Sequence, residues 1–338
     1  MGSHRRLAPS SGPDRGALAA AGLLSAAAAA LVAVPAAATP YDDTRTEVDR
    51  LYREAEKATE AYNAADERAD ALRRRAGTAQ DGIARQQERI NTMRESLGAL
   101  AGAQYRSGGL DPSLALLFSD DPEDYLDKAS VLDRITTRQA GELRELKSAM
   151  RSLAQDRAET ARTLGALERS RKAAAAHKRT VERKLAEARR LLDSLPPGER
   201  AAHDRATRSG RSGLPGPGTA APASGRAAAA VAAARSAVGR PYVWGANGPG
   251  GFDCSGLTQW SYAQAGVALP RTSQAQRHAG RQIPLSEARP GDLVLYRSDA
   301  SHVGMYMGNG QVVHAPYPGA PVRYDPVGMM PVSSVTRV

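Results

Sequence analysis

A repeat of apolar and small residues, spaced alternately by four and three, begins at Leu51 and continues to Leu100. This spacing returns the same side chains to one face of a helix, and the intervening positions are mostly Arg, Glu, Asp and Gln. It predicts a coiled-coil helix, and residues 41–103 would form a rod of roughly 90 Å at about 1.5 Å per residue. The repeat consists of Leu51, Ala55, Ala58, Tyr62, Ala65, Ala69, Leu72, Ala76, Ala79, Ile83, Gln86, Ile90, Met93, Leu97 and Leu100.

A second, less regular repeat follows a break at residues 107–112, which read Ser-Gly-Gly-Leu-Asp-Pro. The Asp-Asp-Pro sequence at 120–122 marks a helix start, because Asp is a favoured cap and proline is favoured in the first turn. Two long helices separated by one break predict an antiparallel hairpin over 39–195 with its tip at 107–122; a parallel homodimer is the alternative. The second repeat runs through Leu132, Ile135, Leu143, Leu146, Met150, Leu153, Leu164, Leu167, Val181, Leu185, Ala188 and Leu192.

Residues 1–38 have the pattern of a signal peptide. An arginine-containing lead precedes the apolar run 17–34, and the three alanines at 36–38 offer a small-x-small cleavage site. An uncleaved membrane anchor is the alternative, because the run is near the lower length of a membrane span. In either case we expect the rest of the chain to lie outside the cytoplasm.

The formal net charge of +10 predicts attraction to polyanions, either nucleic acid or the acidic polymers of a bacterial wall. Aromatic residues make up only 4% of the chain, too few for the usual base-stacking surfaces. Nucleic acid also conflicts with the export signal, so we expect no nucleic-acid partner.

The C-terminal third of the chain has a different pattern from the helical part. Residues 196–225 are rich in Pro, Gly, Ser, Ala and Arg without periodicity, which predicts a flexible linker. A domain over 226–338 then begins with a helix at 227–238, a glycine-rich loop and a helix at 254–265. Strands are predicted at 292–297, 303–307, 311–314 and 335–338. Helices followed by a small antiparallel sheet indicate an α+β domain.

Cys254 is the only cysteine of the chain, so it cannot form an internal disulfide. Asp253 stands where a helix cap belongs, and Cys254 would lie in the first turn, where the helix dipole lowers the pKa of a thiol. This setting predicts a nucleophilic thiolate. The alternative is a buried structural cysteine, the commonest fate of a free thiol.

Two histidines flank a predicted hairpin, His302 at its beginning and His314 at its end. A three-residue loop at 308–310, or a bulge, would place both rings on one face of the sheet. A two-residue Asn309-Gly310 turn would place them on opposite faces. A catalytic role therefore requires the first arrangement. Zinc is possible in principle, but no close pair of ligands supports it, so we expect no metal.

Several short blocks of the last hundred residues resemble the NlpC/p60 family of cell-wall cysteine peptidases. The blocks are Pro241-Tyr-Val-Trp-Gly245, Phe252-Asp-Cys-Ser-Gly-Leu257, Pro270-Arg-Thr-Ser273, Pro290-Gly-Asp-Leu-Val294, His302-Val-Gly-Met-Tyr-Met-Gly308 and His314-Ala315. The resemblance implies a papain-like α+β fold without a cofactor. It further implies Cys254 as nucleophile, His302 as base and His314 as the polar third member. The substrate-binding residues implied are Tyr242, Asp253, Ser255 and Arg271.

The resemblance predicts a secreted, wall-associated peptidoglycan endopeptidase that cleaves stem peptides, with the bond between D-glutamate and a diamino acid the expected one. An N-acetylmuramoyl-L-alanine amidase and a non-catalytic coiled-coil regulator are the alternatives. The layout also resembles actinobacterial wall hydrolases of the Rip type. In such relatives the helical region restrains the catalytic domain or docks on a membrane complex of the FtsE–FtsX type. The apolar residues at 114–118 are the expected docking patch of the tip; folding back onto the rod is the equal alternative.

Overall fold

The computed structural model describes residues 40–106, 122–208 and 221–338. The predicted signal peptide and nearly all of the predicted tip, including its apolar patch, lie outside the described residues. Two long helices come first, α1 (Pro40–Arg106) and α2 (Pro122–Ser194), and a shorter α3 (Pro197–Arg208) follows. None of the described helices combines the length and hydropathy needed to cross a membrane.

Helices α1 and α2 form the antiparallel hairpin that the sequence predicts. The Ser170 hydroxyl donates to the Ala65 carbonyl at 2.7 Å, and the Gln86 amide donates to the Ala149 carbonyl at 3.1 Å. Residue numbers thus fall along α2 as they rise along α1, which defines an antiparallel pair. Gln86, the one long polar residue of the first repeat, is accommodated because its amide is satisfied by the partner helix.

The first repeat is buried much as predicted, but the second is partly wrong. Leu51, Ala69 and Ile90 of α1 are buried, and only Leu100 of its repeat is exposed. In α2, four predicted core residues are exposed: Ile135, Leu143, Met150 and Leu164. The main set of buried positions in α2 instead recurs every seven residues, at Leu153, Thr160, Leu167, Ala174, Val181 and Ala188, and the hydroxyl residues Thr163 and Ser170 are buried beside it.

The hydroxyl residues of this second repeat can be buried because their own helix satisfies them. Thr160 donates to the Asp156 carbonyl at 2.8 Å, and Thr163 donates to the Glu159 carbonyl at 3.1 Å. Small side chains also let the two helices approach closely. A search for apolar residues alone therefore misplaces the face of α2 that packs on α1.

The predicted flexible linker at 196–225 is also corrected. Its first part, Pro197–Arg208, is helix α3, which starts at a proline and has Glu199 in its first turn. Both features favour a helix N-terminus, which the proline and glycine content of the segment concealed.

The last part of the chain has three helices and a six-stranded sheet. The helices are α4 (Gly225–Ser236), α5 (Cys254–Gln264) and α6 (Ser273–Gln276). The strands are β1 (Arg281–Ile283), β2 (Leu293–Tyr296), β3 (His302–Gly308), β4 (Gln311–His314), β5 (Arg323–Pro326) and β6 (Val332–Arg337).

The sheet is antiparallel, in the order β1-β6-β2-β3-β4-β5. Its core side packs on α4 and α5 through residues such as Val231, Leu257, Leu293 and Met305. The predicted α+β class and the central strands are confirmed, whereas β1 and β5 were not predicted. Helix α5 lies against β3, which brings the first turn of the helix to the start of that strand.

Candidate active site

Cys254 is the first residue of α5, as predicted from its neighbours. Asp253 caps the helix, and its Oδ1 accepts a hydrogen bond from the Gly256 backbone nitrogen at 2.7 Å. Position 256 must be glycine, because a Cβ there would lie 2.2 Å from the Ala246 carbonyl oxygen. The cap and this close approach fix where the thiol is presented.

The pKa of the Cys254 thiol is raised well above its ordinary value, contrary to the prediction of a lowered pKa. Burial is the largest cause, and the carboxylates of Glu60, Glu56 and Asp253 add to it. Cys254 is only 1% exposed. The prediction failed because the helix dipole is outweighed by desolvation and by negative charge brought from elsewhere in the chain.

His302 and His314 lie on one face of the sheet, because the hairpin contains a bulge. Asn309 and Gly310 form a two-residue turn with positive φ angles, and Gly308 pairs with Gln311. The register then shifts, so that Tyr306 faces Val312. This bulge is one of the two arrangements that the catalytic prediction allowed.

The two rings contact each other directly: His302 Nε2 lies 2.8 Å from His314 Nδ1. Gly304 lies opposite His314, and a Cβ there would come within 3.3 Å of the His314 Cβ. His314 Nε2 in turn lies 2.8 Å from the Asp325 carboxylate, which also accepts from Arg323 at 2.8 Å. The site therefore contains a relay of His302, His314 and Asp325.

Asp325 is a site residue that the sequence analysis missed. Burial opposes its ionisation, but the bonds from His314 and Arg323 outweigh burial and lower its pKa. Burial also lowers the pKa of His314 to about 4, so this ring is neutral near pH 7. A neutral His314 donates from Nε2 to Asp325 and accepts at Nδ1, which makes His302 Nε2 the donor between the rings.

The predicted substrate-binding residues lie near the thiol, but three of them bind one another. Arg271 forms a bidentate pair with Asp253, at 2.6 and 3.0 Å, and also donates to the Ser255 hydroxyl at 3.0 Å. Tyr242 is 7% exposed and lines a cavity of about 470 Å³ together with Trp244 and His314. Burial raises the pKa of Tyr242, and the nearby thiol adds to the effect.

One face of α1 covers these residues, a feature that the sequence analysis did not predict. Glu56, Glu60 and Asn63 are spaced by four and three, so they share a stripe beside the hairpin seam. All three are buried. The Asn63 amide donates to Asp253 Oδ2 at 3.1 Å. We refer to Glu56, Glu60 and Asn63 as the α1 stripe.

Glu56 bonds directly to the predicted base. Its Oε1 contacts His302 Nδ1, and its Oε2 accepts from Arg297. Burial opposes ionisation of Glu56, but His302 and Arg297 outweigh it and lower its pKa. Since His302 Nε2 faces His314, Nδ1 is the nitrogen left to serve the thiol, and Glu56 occupies it.

Glu60 bonds to groups on both sides of the thiol. Its Oε1 accepts from the Ser255 hydroxyl at 2.7 Å and lies 3.8 Å from Cys254 Sγ, and its Oε2 accepts from the Ser273 backbone nitrogen at 2.7 Å. Burial raises the pKa of Glu60 to about 7, and the Asp253 charge adds to this effect. Glu60 thus lies over the nucleophile, where a substrate would have to bind.

Aromatic contacts extend this cover at both ends of the stripe. Tyr52 stacks on Tyr317 with ring centroids 5.1 Å apart, and Tyr62 packs edge-on against Trp244 at 5.4 Å. Tyr62 was predicted only as a residue of the hairpin repeat. Position 245 is a glycine with φ +73°, and a Cβ there would lie 3.4 Å from the Tyr62 ring.

The α1 stripe carries no signal that a sequence alone could reveal. Two glutamates and an asparagine beside a heptad repeat are the ordinary composition of a solvated coiled-coil flank. Among the described residues, one set of side chains could hold a metal ion, and it includes the stripe: Glu56, Cys254 and His302. The expectation that the chain binds no metal did not take Glu56 into account.

The helix-borne thiol, the strand-borne histidine pair and the antiparallel sheet define a papain-like α+β domain with a cysteine–histidine site. Residues 239–335 match the NlpC/P60 family. The C-terminal part of the chain is therefore an NlpC/P60 domain, which confirms the resemblance noted in the sequence.

Curated relatives and solved structures match over the same part. "Probable endopeptidase Rv2190c" of Mycobacterium tuberculosis is 51% identical over 105 residues, 31% of this chain and 27% of that protein. "Probable endopeptidase Cgl2188" of Corynebacterium glutamicum is 48% identical over 118 residues, 35% of this chain and 56% of that protein. The chain thus spans about a quarter to about half the length of these relatives.

Two solved structures also align with the chain. The structure of Rv1477, a hypothetical invasion protein of Mycobacterium tuberculosis, is 36% identical and covers 33% of this chain and 61% of that one, with a TM-score of 0.32. The P60 domain of antigen MAP1204 from M. avium subspecies paratuberculosis is 38% identical and covers 33% and 93%, also with a TM-score of 0.32.

Proposed function

We propose that the chain is a cysteine-type peptidoglycan hydrolase that cleaves amide bonds of the stem peptides. The observation that carries the proposal is the relay of His302, His314 and Asp325 beside the Cys254 thiol at a helix start. Relatives named probable endopeptidases support the reaction class. The bond between D-glutamate and a diamino acid is the proposed target, and it rests on the family resemblance.

The proposed reaction begins when His302 Nδ1 removes the proton of Cys254. The thiolate sulfur bonds to the carbonyl carbon of the scissile amide, and the Cys254 backbone N–H stabilises the oxyanion. His302 then gives its proton to the leaving amine as the C–N bond breaks, which leaves a thioester. Water, deprotonated by His302, hydrolyses the thioester and restores the thiol.

His314 and Asp325 are positioning residues in this scheme. Asp325 holds the His314 ring, and His314 Nδ1 accepts from His302 Nε2. The tautomer of His302 is thereby fixed, with its Nδ1 lone pair directed toward the thiol side. A charged His302 is also stabilised by this chain of bonds during proton transfer.

We further propose that α1 holds the enzyme in an inhibited state. Cys254, His302 and His314 are at most 1% exposed. Glu56 takes the His302 nitrogen that the thiol needs, and Glu60 covers the thiol itself. A stem peptide cannot reach the sulfur while these contacts persist, so activation requires that α1 leave the domain.

Secretion and membrane docking complete the proposal. The signal at residues 1–38 supports export and association with the cell wall. The hairpin supports docking on a membrane complex of the FtsE–FtsX type through the tip at 107–122, as the Rip-type layout implies. Replacement of Leu117 and Phe118 with Ser should weaken that docking if the apolar patch carries it.

The test uses the mature chain and purified peptidoglycan. Glu56→Ala combined with Glu60→Ala should raise the rate of wall digestion about 100-fold or more, because two hydrogen-bonded carboxyl groups, at about 1.5–3 kcal/mol each, are lost from the closed state. Adding Cys254→Ala to this pair should reduce digestion to background. Glu67→Ala, an exposed carboxylate of the same helix, is the matched control and should behave as wild type.

Mass spectrometry of the digest distinguishes the candidate reactions. New termini within the stem peptide identify an endopeptidase, and a free lactyl carboxylate on the glycan identifies an amidase. Digestion that persists in the Cys254→Ala variant would refute the cysteine mechanism. Equal rates for the Glu56/Glu60 variant and wild type would refute inhibition by α1 and leave the catalytic proposal standing.

A further inference from the structure

The closed state brings together three donor atoms that do not belong to one part of the chain. A carboxylate oxygen of Glu56, the Sγ of Cys254 and a ring nitrogen of His302 all lie within 4.8 Å of one another. All three residues are buried. Glu56 comes from α1, and the other two come from the NlpC/P60 domain, so the set exists only while α1 covers the site.

The hydrogen bonds around His302 leave its Nδ1 facing the Glu56 carboxylate. His314 donates from Nε2 to the Asp325 carboxylate and accepts at Nδ1, so His302 Nε2 must be the donor between the rings. A neutral His302 then directs the lone pair of Nδ1 at the Glu56 carboxylate. Two acceptors that face each other need a proton or a metal ion between them.

The charge of the site also favours a divalent cation. The carboxylates of Glu56, Glu60 and Asp253 lie near the thiol. Arg271 pairs with Asp253, and Arg297 pairs with Glu56. Three carboxyl groups and a thiol thus face two arginines, so the site offers more oxygen and sulfur donors than the arginines occupy.

We propose that Glu56, Cys254 and His302 bind a zinc ion across the interface between α1 and the catalytic domain. Thiolate, imidazole and carboxylate are the three donor types of zinc sites, and three protein ligands with an open fourth position is a common arrangement. Bond lengths of about 2.0–2.3 Å require donors about 3.3–3.7 Å apart, so the direct contact between Glu56 Oε1 and His302 Nδ1 must lengthen to admit the ion.

The surroundings of His302 suit a zinc ligand. Its second nitrogen is held by His314 and, through it, by Asp325, which is the outer-shell support that zinc-bound histidines usually have. Arg297 bonds the other oxygen of Glu56, so Oε1 stays available to the ion. The tautomer that the relay imposes is the one that offers Nδ1 to a metal.

Zinc would act as a clamp on the inhibited state, and in this sense the inference rests on the proposed function. One ligand leaves with α1, so the ion binds the closed state more tightly than the open one. At a free zinc concentration about 100 times the dissociation constant, the open fraction should fall about 100-fold. Bound zinc would then keep substrate from the thiol, and opening of the site would release the zinc.

The test measures binding, not hydrolysis, so failed wall digestion would leave it intact. The full chain, stripped with EDTA, is titrated with zinc chloride by calorimetry. Wild type should bind one ion, and the exposed-surface control Glu67→Gln should match it. Glu56→Gln should weaken binding by at least about 100-fold, beyond the 10- to 100-fold effect usual for outer-shell partners.

Two further variants separate loss of a ligand from loosening of α1. Glu56→His keeps a zinc ligand and should restore most of the affinity that Glu56→Gln loses. Cobalt(II) bound to wild type should show the near-ultraviolet absorption of a thiolate–cobalt bond, which Cys254→Ser should abolish. Equal affinity of wild type and Glu56→Gln, failure of Glu56→His to rescue binding, or a missing thiolate band in wild type would overturn the proposal.

Discussion

Protonation of Glu60 should control how firmly α1 covers the active site. Burial and the neighbouring Asp253 raise the pKa of this carboxyl from 4.5 to about 7 in the closed state. Cys254 and Ser255 also face it from the catalytic domain, Arg271 lies beyond them on Asp253, and Glu56 lies one helical turn away. On a helix released into solvent, the pKa of Glu60 should return to its ordinary value.

The sign of the effect follows from the direction of the shift. Because the pKa of Glu60 is higher in the closed state, that state binds the proton more tightly. The contribution of Glu60 to the stability of the closed state is complete below about pH 4.5 and is lost as the pH rises through about 7. Each pKa unit corresponds to about 1.4 kcal/mol, so the full loss is roughly 3 kcal/mol.

Glu56 acts in the opposite direction, because its pKa is lowered in the closed state by His302 and Arg297 despite burial. Its contribution is present above its ordinary pKa of 4.5 and is lost as the pH falls below that value. Closure should therefore be firmest in mildly acidic solution, between the range in which Glu56 takes up a proton and the range in which Glu60 loses one.

The assay is alkylation of Cys254 in the full chain, in EDTA, from about pH 5.5 to 8. Glu60→Gln imitates the protonated acid, so its closure should not weaken over this range. From the lower to the upper pH, the alkylation rate of wild type should rise on the order of 30-fold more than that of the variant. Dividing the two rates at each pH removes the effect of thiol ionisation, which both proteins share. Glu67→Gln should follow wild type. A ratio that stays constant with pH would refute the reasoning.

Three further outcomes follow from the geometry. Asp325→Asn should lower the activity of the released enzyme about 10- to 1,000-fold with little change in KM, because His314 loses the acceptor that fixes its tautomer; steady-state kinetics on stem peptides would test this. Gly256→Ala should destabilise the domain by several kcal/mol in urea unfolding, because its Cβ would meet the Ala246 carbonyl at 2.2 Å. The fragment 226–338, once shown by circular dichroism to be folded, should digest wall faster per mole than 39–338. Equal rates would mean that the hairpin positions the enzyme but does not inhibit it.

The parts of the fold that sequence predicted are those with long or unambiguous local patterns. The repeat of α1 continues over fifty residues, so a few exceptions such as Gln86 could not hide it. The cap at Asp253 and the strand β4 were likewise specified by their own residues. The core face of α2 was partly misplaced, because Thr160 and Thr163 bury hydroxyls that their own backbone satisfies.

The site was less predictable, because its decisive contacts join distant parts of the chain. The histidine register depended on a bulge, and sequence could only state the two arrangements that would serve. Asp325 lies on β5, an edge strand whose sequence has no apolar alternation from which it could be predicted. The raised thiol pKa depends on Glu56 and Glu60, which no local pattern connects with Cys254.

Helix α1 belongs to two interfaces at once, and this limits how the site can open. Leu51 is buried together with Ala188 of α2, while Glu56 and Glu60 bind the catalytic domain. Because these residues alternate along the same helical turns, α1 cannot unwind from the active site without also exposing the hairpin core. Release should therefore move the hairpin as a rigid body. From Glu56 to Arg106 the helix extends roughly 75 Å at about 1.5 Å per residue, so a force applied at the far end would act through a long lever.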